Sequence, residues 1–171
     1  GAGWIPYKTG IRKILDTIKL YKNRRFPTKE LFDVYRSHPL TFTTNYTVEK
    51  LDYLDRSFLY YLMYDRARTT RTFDIDHIMP KSLLETKGFD WNKINSIKNF
   101  QLIDYGTNRG AKNGKPFSEW VNDQNCVKDI SSYLKLHLIP IDTNIWSEDK
   151  FEDFISQRGL LILEKIKDYI D

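Results

Sequence analysis

The apolar residues of this chain recur at two periods, and the point where the period changes most limits the folds open to it. Over much of the length they return every three or four positions, as on one face of a helix. Ile11, Ile14, Leu15, Ile18 and Tyr21 predict an amphipathic helix from Ile11 to about Asn23, and Thr28 to Ser37 predicts a short one after Pro27. Leu51, Leu54, Phe58, Leu59, Leu62 and Met63 predict one long helix from Val48 to about Arg66. Between Phe73 and Ile78 the period drops to two, which predicts a half-buried strand ended by Pro80, with its apolar residues inward. A polar loop then runs to Asn99, and Phe100 to Ile103 is a second candidate strand. Asn108 opens a short helix that Gly114 and Pro116 close. Further helices are expected over Ser118–Asn122 and Val127–Leu136, and from about Glu148 to Ile170, the last capped by Ser147 and weakened at Gly159. Two short strands among many helices define an α+β chain.

With 171 residues and 40% hydrophobic side chains, the chain is long enough for one compact domain with a real core. The expected division is a helical flank over 4–70, a central unit over 71–117 and a second helical flank over 118–171. Gly1-Ala2-Gly3 reads as a tag-removal scar, which implies a larger parent protein upstream. Cys126 is the lone cysteine, so neither a disulfide framework nor a cysteine-based zinc site is available. No apolar run approaches the roughly 20 residues that span a bilayer, so the expectation is a soluble protein of the cytoplasm.

The net charge of +4 hides an uneven distribution. Lys8 to Arg25 holds seven basic residues and one acid, Arg66 to Lys115 ten and five, and Glu119 to Asp171 six and eleven. Such a split suits a polyanion bound along one face, although charge runs by themselves also read as solvated helix faces.

Asp76-His77 concentrates the chemistry. Histidine is the usual general base near neutral pH, and a carboxylate suits a hard divalent metal. Neighbours on a strand point to opposite sides, so joint action by this pair requires a bend. Asn108 and Lys112 stand four apart, on one face of a helical turn. A strand, a turn and a helix can therefore gather His, Asp and Asn around one metal, with Lys and Arg toward phosphate.

Asp76-His77-Ile78-Met79-Pro80, then Asn99-Phe100-Gln101-Leu102, then Asn108-Arg109-Gly110-Ala111-Lys112 resembles the HNH (ββα-metal) endonuclease motif, including that of RNA-guided CRISPR nucleases. The motif covers about a quarter of the chain, Phe73 to Lys115. The helix ahead of it, and a tail with Ile139-Pro140, Trp146 and Phe151 to Arg158, resemble the C-terminal HNH domain of GmrSD-like modification-dependent (type IV) restriction enzymes and related phage-defence nucleases.

The resemblance implies a small ββα-metal centre embedded in a mostly helical domain. It implies that His77 activates water as general base and that Asp76 and Asn108 bind a single Mg²⁺ or Mn²⁺. Asn99 would orient His77 and tie the strands, while Arg109 and Lys112, with Lys115 grouped beside them, would contact nucleic-acid phosphate. Asn108 stands where many relatives carry His, which favours an oxygen-ligated metal. The implied substrate is the DNA phosphate backbone, in a bacterial restriction or antiviral defence protein whose sensor or NTPase domain lies upstream. A nuclease acting on RNA, and a non-catalytic nucleic-acid-binding module on a decayed scaffold, are the alternatives.

Overall fold

The computed structural model describes residues 5–37, 47–105 and 112–170. The chain falls into two compact units, residues 1–46 and 47–171, so the boundary lies inside the stretch assigned above to the first helical flank.

In the first unit, α1 (Ile5–Leu20) begins before the stripe that predicts it. The turn that follows it puts Asn23 in a left-handed conformation (φ +73°), which Asn tolerates better than most residues. α2 (Thr28–Ser37) occupies the predicted span, and Glu30 on it accepts from Tyr21 Oη (3.1 Å) and Arg25 Nη2 (2.5 Å).

The second unit carries everything else. The single helix expected over Val48–Arg66 is two pieces: a 3₁₀ helix, Val48–Tyr53, and α3, Arg56–Met63. Leu54 is extended (ψ 160°), and the Asp55 carboxylate accepts from Phe58 N at 2.8 Å, which starts a new helix rather than continuing the old one. The stripe shifts accordingly. Phe58 is exposed, and Tyr60 and Tyr64 are buried instead.

β1 (Asp74–His77) and β2 (Phe100–Ile103) pair antiparallel, with Asp76 opposite Gln101 and His77 opposite Phe100. The inward face of β1 is the reverse of the expected one. Ile75 is 48% exposed and Asp76 only 4%, and the buried carboxylate has Gln101 and Lys112 as polar partners inside. The stretch between the strands is also not a loop. α4 (Lys81–Thr86) starts behind Pro80 and stops before left-handed Gly88, and α5 (Trp91–Ile94) is capped by Asp90. A 3₁₀ turn, Ile97–Asn99, leads into β2.

α6 (Phe117–Trp120) and α7 (Ile130–Leu136) are shorter than the periodicity predicts. α8 (Phe151–Ile170) follows a 3₁₀ turn over Glu148–Lys150, and the Ser147 side chain makes no capping bond there. α8 is the spine of the unit. Phe151, Phe154 and Ile155 join one core cluster with Ile78, Met79 and Phe117, and Ile162 and Ile166 join a second with Leu59, Phe100 and Leu102. The strand pair is thus anchored on both clusters. Gly159 marks a close approach rather than a weakness: a Cβ there would collide with Val48 Cγ1. Beside it, fully buried Arg158 donates to the carbonyls of Ile97 (3.1 Å), Lys98 (2.8 Å) and His137 (3.0 Å), fastening the entry to β2 onto α8.

Candidate active site

Asp76 and Gln101 face each other across the strand pair, and both side chains are buried. Gln101 Nε2 donates to Asp76 Oδ2 at 2.8 Å, and Tyr133 Oη on α7 donates to Gln101 Oε1 at 2.7 Å. The Lys112 ammonium bonds the same Asp76 Oδ2 and also the main-chain oxygen of His77. Among the described residues, both polar partners of the carboxylate therefore engage one oxygen, Oδ2. Lys112 also lies 4.6 Å from the Trp120 ring centroid. Burial pulls the Lys112 pKa below its ordinary value, against the opposing pull of the Asp76 charge.

His77 is half-buried, with its ring 4.5 Å from that of Phe100, its register partner. Its Nε2 meets Asn95 Oδ1 at 3.0 Å. Asn95 Nδ2 donates to Trp91 O at 3.0 Å, which turns the amide oxygen toward the imidazole and makes His77 Nε2 the donor. Nδ1 then carries the lone pair. Burial lowers the His77 pKa below 6.5, and the Lys112 and Lys81 charges add to that, while Asn95 and Asp76 oppose it. The ring is therefore neutral at pH 7, the form a general base requires.

Asp76, His77, Pro80, Lys81, Glu85 and Lys112 are among the residues lining an open groove of about 450 Å³. The opposite-face expectation for Asp76 and His77 holds for their environments, one buried in a polar network and the other against Phe100. Even so, both reach the groove, because β1 ends at His77 and the chain turns into Pro80.

Of the other predicted site residues, Asn99 is fully buried. Its side chain accepts from Met79 N (3.0 Å) and donates to Met79 O (3.1 Å) and Ile94 O (3.0 Å). It ties the end of β1 to α5, while the His77 ring is held by Asn95. Lys115 is exposed and paired with Asp123 at 3.3 Å. Lys112 is buried on Asp76 rather than presented to solvent. Asn108 and Arg109, with the start of the predicted Asn108 helix, lie outside the described residues. Among the described residues, no three His, Cys, Asp or Glu side chains group together as metal ligands.

Sequence reasoning missed Asn95, Gln101 and Tyr133. Gln101 was recoverable, since pairing the two strands from Asp76 places a polar residue opposite a polar residue. Asn95 closes α5 and Tyr133 lies on α7, and no local pattern encodes how these two helices approach the strands.

The strand pair thus buries one carboxylate and sets a histidine beside it, over a groove edged by lysine. The family comparison makes this specific. The model for the C-terminal domain of GmrSD restriction endonucleases matches residues 21–163, and the chain belongs to that family, a class of nuclease domains. No curated protein and no solved structure matches the chain significantly. Among the described residues no helix is long and apolar enough to cross a membrane.

Proposed function

We propose that the chain is a metal-dependent, HNH-type endonuclease domain that hydrolyses DNA phosphodiester bonds, as the effector of a bacterial restriction or anti-phage defence protein. One observation carries the reading: Asp76 Oδ2 and the His77 main-chain oxygen converge on a positive charge, and the His77 imidazole lines the same groove. Two oxygens that already share a cation fit an oxygen-seeking divalent ion, Mg²⁺ or Mn²⁺. Asp76 and, by the motif, Asn108 would hold it. When bound, such an ion offsets the negative charge that develops on the phosphoryl and leaving oxygens.

The remaining work falls to the chain. His77 Nδ1 takes the proton of the attacking water, while Asn95 on Nε2 fixes the tautomer and Phe100 restrains the ring. Gln101 and Tyr133 hold the Asp76 carboxylate in one orientation. Lys81 on the groove, with Arg109 and Lys115, supplies phosphate contacts, which position a duplex without reading its sequence. The choice of target then falls to a sensor or NTPase domain of a larger parent in the bacterial cytoplasm.

The test is nicking of supercoiled plasmid with Mg²⁺, with Mn²⁺ and with EDTA, alongside His77→Ala. The expected result is metal-dependent nicking that the variant loses while keeping its fold and DNA affinity. Cleavage in EDTA, or by His77→Ala, refutes the assignment.

A further inference from the structure

We propose that the Lys112 ammonium is a resident counter-ion of the cation position: it holds Asp76 and the His77 carbonyl until a divalent metal takes the same two oxygens and sends it into the groove. The inference rests on the metal-dependent reading above. A lysine that merely touches phosphate would sit in solvent, as Lys81 and Lys115 do at 47% side-chain exposure each. Lys112 is 5% exposed and Asp76 4%. Lysine and aspartate are almost never so buried unless paired.

The pairing is built for one small cation. The ammonium donates to Asp76 Oδ2 and to His77 O, with the face of Trp120 at 4.6 Å on a further side. Those two oxygens are hard, negatively polarised donors of the kind Mg²⁺ and Mn²⁺ require. An ammonium and a divalent ion repel each other and cannot share one place, so loading the metal displaces the lysine. The exit is present, because Lys112 already lines the groove together with Lys81 and Gly114. Asn113 and Gly114 just beyond it have positive φ (+30° and +73°), a backbone bend next to the side chain that must move. Displaced, the ammonium joins Lys81 where an anionic phosphate would lie. One residue thus neutralises Asp76 before metal arrives and neutralises substrate afterwards.

The test measures Mn²⁺ affinity by electron paramagnetic resonance of free Mn²⁺, for the whole chain and for Lys112→Met. Removing the competitor should tighten binding by about tenfold or more, the usual size of coupling between linked sites. A second measurement needs no variant: mass-spectrometric labelling of wild-type amines with an acylating reagent. Lys112 should be protected in EDTA and become reactive with Mg²⁺, while Lys81 and Lys115 change little. Equal or weaker Mn²⁺ affinity in a folded variant, or protection of Lys112 unchanged by bound Mg²⁺, overturns the exchange and leaves the metal-dependent reading standing. Absence of Mn²⁺ binding by both folded proteins overturns that reading and the exchange with it.

Discussion

Acid should destabilise this fold through one buried side chain, His137, and the size of the effect follows from its surroundings. His137 closes α7, is 1% exposed, and packs its ring 4.2 Å from that of Tyr133 and 5.5 Å from that of Tyr64. Tyr64 Oη accepts from Leu102 N at 3.0 Å, so its own hydrogen goes to His137 Nδ1, 2.8 Å away. The imidazole is therefore an acceptor at Nδ1 and is held neutral. Burial, and then the charges of Arg68, Arg158 and Lys112, lower its pKa to about 2. The unfolded chain titrates this group near 6.5, so between these values the unfolded state binds the extra proton. Stability from this group is complete above pH 6.5 and falls as the pH drops toward 2. At 1.36 kcal/mol per pH unit, the loss by pH 4.5 is about 3 kcal/mol, a large share of the roughly 5–15 kcal/mol that holds a domain together. Urea titrations of wild type and His137→Gln at pH 7.0, 5.5 and 4.5 read it directly. Gln keeps an oxygen for Tyr64 to bond and cannot take a proton in this range. The carboxylates and His77 titrate in both proteins and cancel in the difference. Wild type should lose about 3 kcal/mol more than the variant over that interval. Equal slopes in the two proteins would refute the buried-neutral account of His137.

Two further predictions concern packing and the base. Gly159→Ala should destabilise by about 1 kcal/mol net, because overpacking against Val48 outweighs a helix-propensity gain of about 1 kcal/mol. In a Val48→Ala background the same substitution should stabilise instead, and urea midpoints that keep the first sign would show that the close contact is not the cause. Asn95→Ala should slow metal-dependent nicking about 10- to 100-fold without weakening Mn²⁺ binding; an unchanged rate would mean that the His77 tautomer is set by something else.

The fold was legible in the sequence where one local pattern decides it. α2 and β2 have the predicted ends because prolines, polar caps and short apolar runs act over a few residues. It was misread where a tertiary partner overrides the pattern. The Leu51–Met63 stripe looks continuous, but Asp55 prefers to cap, and the helix restarts. Alternation in Phe73–Ile78 announced a strand correctly and its inward face wrongly, since Gln101, Lys112 and Tyr133 make burial of Asp76 tolerable, and they come from three distant segments. The helices between the strands were invisible as periodicity because each is only a turn or so long. Residue type and order single out the Asp76-His77 pair as the candidate site. Its support was not legible, because Asn95 reaches His77 across 18 residues of chain and Tyr133 reaches Gln101 across 32.

Folding free energy alone does not account for the Asp76–Lys112 pair. Taking both charges out of water costs several kcal/mol per ion, and the attraction between them roughly repays it at best. Apolar residues of similar volume at both positions would serve a two-stranded sheet as well or better. The surroundings spend further polar groups on the pair: Gln101 gives its amide to the carboxylate, Tyr133 gives its hydroxyl to Gln101, and the His77 carbonyl accepts the ammonium. Every one of these bonds fixes the direction of a single carboxylate beside a histidine whose own tautomer is fixed from the other side by Asn95. A network that adds little to stability yet determines the orientation of two side chains fits the catalytic role proposed for them. The same reasoning separates Asp76 from Arg158, which is also buried but, among the described residues, bonds backbone carbonyls and joins α8 to the entry of β2. Arg158 holds the scaffold, and Asp76 is held by it.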